Sequence, residues 1–180
     1  MFTVKNILAF LTIGTLGALG HFVYEWSGNN YILGFFFPVN ESCWEHLKLL
    51  FLPTLIYSAV EFFILGNHYK NYLSATVISL LCGMFSIVAI FYIYRGILGK
   101  NIDAINIIIY FVSIIIMLCK KTHLLKTEKF SNSIFSVISV FVIILIGVLF
   151  AVWSYNPPAL GIFRLPEICW NFLTISWEVI

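Results

Sequence analysis

Histidine and glutamate supply the pattern in this sequence that could do chemistry. Between His21 and Glu61 the chain reads HFVYEWSG, then FPVNESCWEHLK, then Glu61 beyond Pro53. His21 and Glu25 are four residues apart, and so are Glu41 and Glu45. On a helix each pair shares one face, about 6 Å apart along the axis. Asn40 precedes the second pair as a good N-cap residue. Lys48 lies three residues beyond Glu45 and seven beyond Glu41, which returns it to their face. His46, next to Glu45, is turned by roughly 100° and points elsewhere or flanks the site. If the helix carrying His21 ends where the helix carrying Glu41 begins, both pairs lie on one side of the fold and converge.

Three chemistries fit the cluster. His21, Glu25, Glu41 and Glu45 offer neutral imidazole and ionised carboxylate, which suit a divalent metal such as zinc, manganese or iron. A metal with an open position would support hydrolysis of lipid or peptide, with a Glu as general base. The spacing matches no HExxH or ExxH signature. Alternatively His21, Glu25, Asn40, Glu41, Glu45, His46, Lys48 and Glu61 bind a polar solute, an ion or a proton, as intramembrane ionisable groups often do. The plainest alternative gives them to fold and topology, with Glu41 complementing a helix dipole and Glu45 and Lys48 forming an ordinary surface pair. Ser42 and Cys43 lie beside His46, but neighbours on a helix are aimed apart, so a nucleophile and base pair is not expected.

These residues belong to a chain of extreme composition. Of 180 residues, 61% are hydrophobic and only 10% charged, with a mean hydropathy of +1.00. Eighteen charged side chains cannot coat a soluble sphere this apolar. A soluble enzyme, a nucleic-acid binder and a disordered tail are therefore excluded, leaving the bilayer. Cys43, Cys82, Cys119 and Cys169 have no close spacing, so neither a zinc ribbon nor a redox pair is encoded. No GxSxG, SxxK or phosphate-binding glycine loop occurs.

A span needs about 20 apolar residues, and stretches near 6–24, 40–65, 72–94, 104–119 and 133–155 qualify. Lipid offers no partner to exposed backbone groups, so each must be a helix. The expected fold is an all-α polytopic helix bundle with five transmembrane helices. Residues 1–163 form one domain, and the apolar tail 164–180, with Trp170 and Trp177 between Glu167 and Glu178, is a sixth, interfacial or partial segment. The apolar stretch 31–37 is too short to span and lies at the interface or dips in. Ser27, Gly28, Asn29 and Asn30 break the first helix, Gly66 and Asn67 end the second, Gly96 and Gly99 follow the third, and Asn156, Pro157 and Pro158 stop the fifth. Pro53 should kink the second.

Basic residues set the orientation. With five alternating spans, Lys5, Lys70, Lys120, Lys121, Lys126 and Lys129 fall on one side and Arg95, Lys100 and Arg164 on the other. That bias predicts a cytoplasmic N-terminus and an external C-terminus in the cell membrane, with lysines of 120–129 against lipid headgroups. His68 and His123 then lie in solvated cytoplasmic loops. Glu61, sixteen residues after Glu45, lies about 24 Å further along its helix, near the cytoplasmic end. Gly14, Gly17 and Gly20 form a smooth stripe for close packing within the chain, or for docking a partner helix. Because five helices enclose little volume, transport would call for a homo-oligomer or a partner membrane subunit.

In HFVYEWSG, in PVNESCWEHLKLLFLP, and in GILGKN and the NPP stop, the chain resembles a family of small bacterial multi-pass membrane proteins of unknown function. The resemblance covers about residues 5–163 and departs from the family pattern from about Arg164. It implies the span count and the choice of cluster; it implies no mechanism.

Overall fold

The computed structural model describes residues 4–65 and 68–166. Helices α1 (Val4–Trp26), α2 (Cys43–His46), α3 (Lys48–Leu65), α4 (Tyr72–Leu98), α5 (Asp103–Thr127) and α6 (Ser133–Tyr155) follow one another, with 3-10 turns at Leu33–Phe35 and Gly161–Phe163. Among the described residues five stretches are long and apolar enough to cross a membrane, α2 and α3 together making one, Cys43–Ile64. The expected all-α bundle of five such helices is present. The fifth span has the expected bounds, and the fourth runs on to Thr127. Gly66, Asn67 and the tail from Glu167 onward, with Trp170, Trp177, Glu178 and Cys169, lie outside the described residues.

The helices alternate in direction. Asn6 near the start of α1 donates to Thr122 near the end of α5 (3.1 Å), whereas Tyr94 near the end of α4 donates to Asn106 near the start of α5 (2.6 Å). One end of the bundle thus carries the termini of α1, α4 and α6 that follow His21, Tyr94 and Ser154. The other carries Lys121 and the start of α4. Between them the core is closed by Ile13, Leu50, Leu80, Ile114 and Met117, none more than 1% exposed. Helix α6 carries no charged residue, and Val137, Phe141, Ile144 and Val148 lie on the outside. Such a surface is a liability in water and ordinary in lipid.

Lipid tails are as apolar as leucine, so packing here rests on close van der Waals fit. The glycine stripe supplies it within the chain, as expected of the packing alternative and not of a docking face. Gly14 meets Phe111, Gly20 meets Phe37, and Gly17 lies beneath the Tyr110 hydroxyl. A β-carbon at Gly17 would stand 2.6 Å from the Leu49 carbonyl oxygen. Gly17→Ala is therefore expected to destabilise the protein by about 1–3 kcal/mol, read as a lower midpoint when helicity in mixed micelles is titrated with SDS. An unchanged midpoint would mean that α1 is not seated this closely.

Pro53 lies inside α3, and a break between helices falls at Leu47, where α2 ends and α3 begins. Proline lacks the amide that would bond the Leu49 carbonyl. That freed oxygen accepts a hydrogen bond from the Tyr110 hydroxyl of α5 at 3.1 Å, so the missing bond is replaced from a neighbouring helix.

Candidate functional site

The connection 27–42 enters the left-handed region at Gly28 (φ 69°) and Asn29 (φ 60°), then folds back over the end of the bundle. Its 3-10 turn places Gly34 against Val39 and the Tyr155 hydroxyl. Asn40 is not the cap of α2. Its side-chain oxygen accepts from the Ser42 amide (2.9 Å), and Ser42 is the cap, its hydroxyl accepting from the Glu45 amide (3.4 Å). The helix thus begins at Cys43, and Glu41 lies before it. The two glutamates consequently do not share a helical face.

Glu41 faces His21 and His46. Its two carboxylate oxygens lie 3.7 Å from His21 Nε2 and 3.3 Å from His46 Nε2. The imidazole rings are 5.4 Å apart between centroids and tilted by 34°. One ligand atom from each of the three residues lies within 4.8 Å of the others. The imidazoles are about one-third exposed and Glu41 is about two-thirds exposed, at 30%, 31% and 64%. The His46 hydrogen bond, joined by the charges of His46 and His21, holds the Glu41 carboxyl below the usual carboxylate range against the opposing effect of partial burial.

His46 Nδ1 lies 2.9 Å from the Ser42 carbonyl oxygen. A carbonyl oxygen can only accept, so Nδ1 carries hydrogen, and a neutral His46 turns its Nε2 lone pair toward the Glu41 carboxylate. Two electron-rich atoms at that separation repel unless a proton or a cation lies between them. His21 adds a second imidazole there, and its Nδ1 is buried without a hydrogen-bond partner among the described residues.

Glu45 goes the other way. Its carboxylate is 1% exposed and accepts from Lys48 Nζ at 2.8 Å, and Lys48 is itself only 2% exposed. This is a buried pair, a correction to the surface pair that the i,i+3 spacing suggests. Lys48 also donates to the Gly34 carbonyl (2.8 Å), the Phe37 carbonyl (3.3 Å) and the Ser154 hydroxyl (2.5 Å). Glu45 further accepts from the Val39 amide (3.0 Å) and from Ser154 (2.8 Å). The pair therefore ties the 27–42 connection and α6 to α3, and so fixes the backbone that carries Glu41. Trp44, packed at tilted and edge-on angles among Phe150, Trp153 and Phe163, secures α2 to the same end of α6.

Glu25 lies exposed near the end of α1, outside the triad. Glu61 is at the opposite end of the bundle. It accepts from Lys121 Nζ and from the Tyr72 hydroxyl, each at 2.6 Å, and Lys121 also donates to Ser58 Oγ at 3.3 Å. Ser154, Tyr72 and Lys121 escaped the sequence reading. The signal for Ser154 is weak, because α6 carries three other serines, Ser133, Ser136 and Ser139. Lys121 was grouped with the headgroup-facing lysines. His68 and His123 are exposed, as expected, but His123 lies within α5 rather than in a loop, and Cys82 and Cys119 are free thiols.

The fold and the site together define a membrane-type bundle of five long apolar helices with a half-exposed His/Glu cluster at one end. The chain belongs to a family of unknown function (DUF6512), which matches residues 3–169 and so continues past Arg164. A search of the curated proteins found no match, nor did a search of the solved structures.

Proposed function

We propose that this chain is an integral membrane protein that binds a cation at His21, Glu41 and His46 on the external face of the cell membrane. The observation that carries the reading is the Glu41 carboxylate, which faces two imidazoles rather than a lysine. Glu45, by contrast, is neutralised by Lys48. Neutral imidazole is a ligand for metal cations and a lysine ammonium is not, so a cation can join Glu41 in a way that it cannot join Glu45. The external placement follows from the lysines at the opposite end, Lys5, Lys70, Lys120, Lys121, Lys126 and Lys129, by the positive-inside bias.

The closed core between the two ends favours a surface site over a path through one chain. Transport would then require a second copy or a partner subunit, docked elsewhere than on the internally packed glycine stripe. Hydrolysis is the second reading. Three protein groups leave a metal ion a position for water, and the partial exposure of the triad would admit a substrate.

Addition of Zn2+, Mn2+, Ca2+ or choline to the purified protein in detergent at neutral pH is expected to raise its melting temperature for at least one of them. Glu41→Gln should cancel that rise while preserving helicity. A folded wild type indifferent to all four would sink the reading.

A further inference from the structure

We infer that the cation is a divalent transition metal of the zinc type, ligated by His21, Glu41 and His46; this rests on the cation-binding reading above. Two ligand atoms on a tetrahedral ion with bonds of about 2.0–2.1 Å lie about 3.3–3.4 Å apart. His46 Nε2 lies 3.3 Å from one Glu41 oxygen and His21 Nε2 3.7 Å from the other, and one ligand atom from each residue lies within 4.8 Å of the others. Closing on one ion would take a rotation of the exposed Glu41 side chain and a shift of the His21 ring, which has no hydrogen bond at Nδ1 among the described residues to hold it.

The donor chemistry separates the candidate ions. Calcium and magnesium take shells of oxygen, whereas two of the three groups here present nitrogen. An organic ammonium ion needs open aromatic faces around its methyl groups. The two imidazoles, 5.4 Å apart between centroids, leave no room for one between them. Imidazole with carboxylate is the donor set that zinc and its first-row neighbours take.

The surrounding structure prepares the ligands in the manner of metal sites. The Ser42 carbonyl holds the Nδ1–H of His46, which fixes the ring with Nε2 toward Glu41. The Asn40 side chain holds the Ser42 amide, and Glu45 holds the Val39 amide, so the backbone on both sides of Glu41 is pinned. His21 contributes from a separate helix. Its Nδ1 has no hydrogen-bond partner among the described residues, so that ring lacks the outer support that His46 has.

The test uses the full chain, purified in detergent and stripped with a chelator. Zn2+ is titrated by calorimetry, and Co2+ by its visible d–d bands, which report coordination geometry. One ion per chain with four-coordinate bands is expected. His21→Ala, His46→Ala and the shape-preserving Glu41→Gln should each weaken binding by at least about 10–100-fold, the loss that even an outer-shell partner brings. Glu25→Ala should leave binding unchanged. Failure of both ions to bind folded wild type, or unchanged affinity in His46→Ala, overturns the inference. If Ca2+ or choline still raises the melting temperature through Glu41 in that preparation, the metal assignment falls and the cation reading stands. If no cation acts, both fall.

Discussion

Replacing Lys48 with methionine should destabilise the protein by about 3–5 kcal/mol, the range for removing one partner of a buried ion pair. The effect comes less from the lost attraction than from what is left behind. Glu45, 1% exposed, would keep a charge with neither water nor a cation beside it. The Gly34 and Phe37 carbonyls would also lose the ammonium that joins them to α3. Combining Glu45→Gln with Lys48→Met removes the stranded charge and should recover much of the loss. Recovery should be incomplete, because methionine cannot replace the bonds to the connection 27–42. SDS titration of helicity in mixed micelles measures both variants. The single variant should also respond more weakly to cations, since the backbone that carries Glu41 is no longer held. A wild-type midpoint for Lys48→Met would show that the pair does not clamp this end of the bundle.

The spans were legible because a bilayer imposes both length and an apolar surface on each of them, and few sequences satisfy that by accident. Their ends were less so. Lys120 and Lys121 made the fourth span look finished at Cys119, yet α5 continues because Lys121 turns inward to Glu61. A lysine that is buried against a distant glutamate reads, in sequence, like any interfacial lysine. Pro53 gives a similar lesson, since the hydroxyl that replaces its missing bond belongs to Tyr110, 61 residues from Leu49.

Within the site, residue types could be read but partners could not. The spacing of Glu41 and Glu45 implies one face only if the helix includes both. One residue, Ser42, decides the matter by capping the helix after Glu41. Glu45 is thereby carried inward to Lys48, while His46, about 100° round the helix from it, is carried to Glu41. The angular offset that set His46 aside in the sequence is what brings it to the site.

At the opposite end, Glu61→Gln should destabilise by about 3 kcal/mol, toward the lower limit for a broken buried pair because Glu61 retains 16% exposure. Lys121, 8% exposed, would keep its charge beside neutral groups: the substituted amide, the Ser58 and Tyr72 hydroxyls and the Tyr72 ring, whose centroid lies 4.6 Å away. Lys5, Lys70, Lys120, Lys126 and Lys129 at the same end would add repulsion. Adding Lys121→Met should restore most of the loss, as expected if the pair serves the fold. The decisive reading is the cation response of that double variant. Glu61 is about 24 Å along the helix from Glu45, and the core between is closed by apolar side chains. Binding at His21, Glu41 and His46 should therefore be unchanged. If binding is altered while the double variant remains as stable as wild type, the two ends are coupled, and the carboxylate would have to be placed on a route through the bundle.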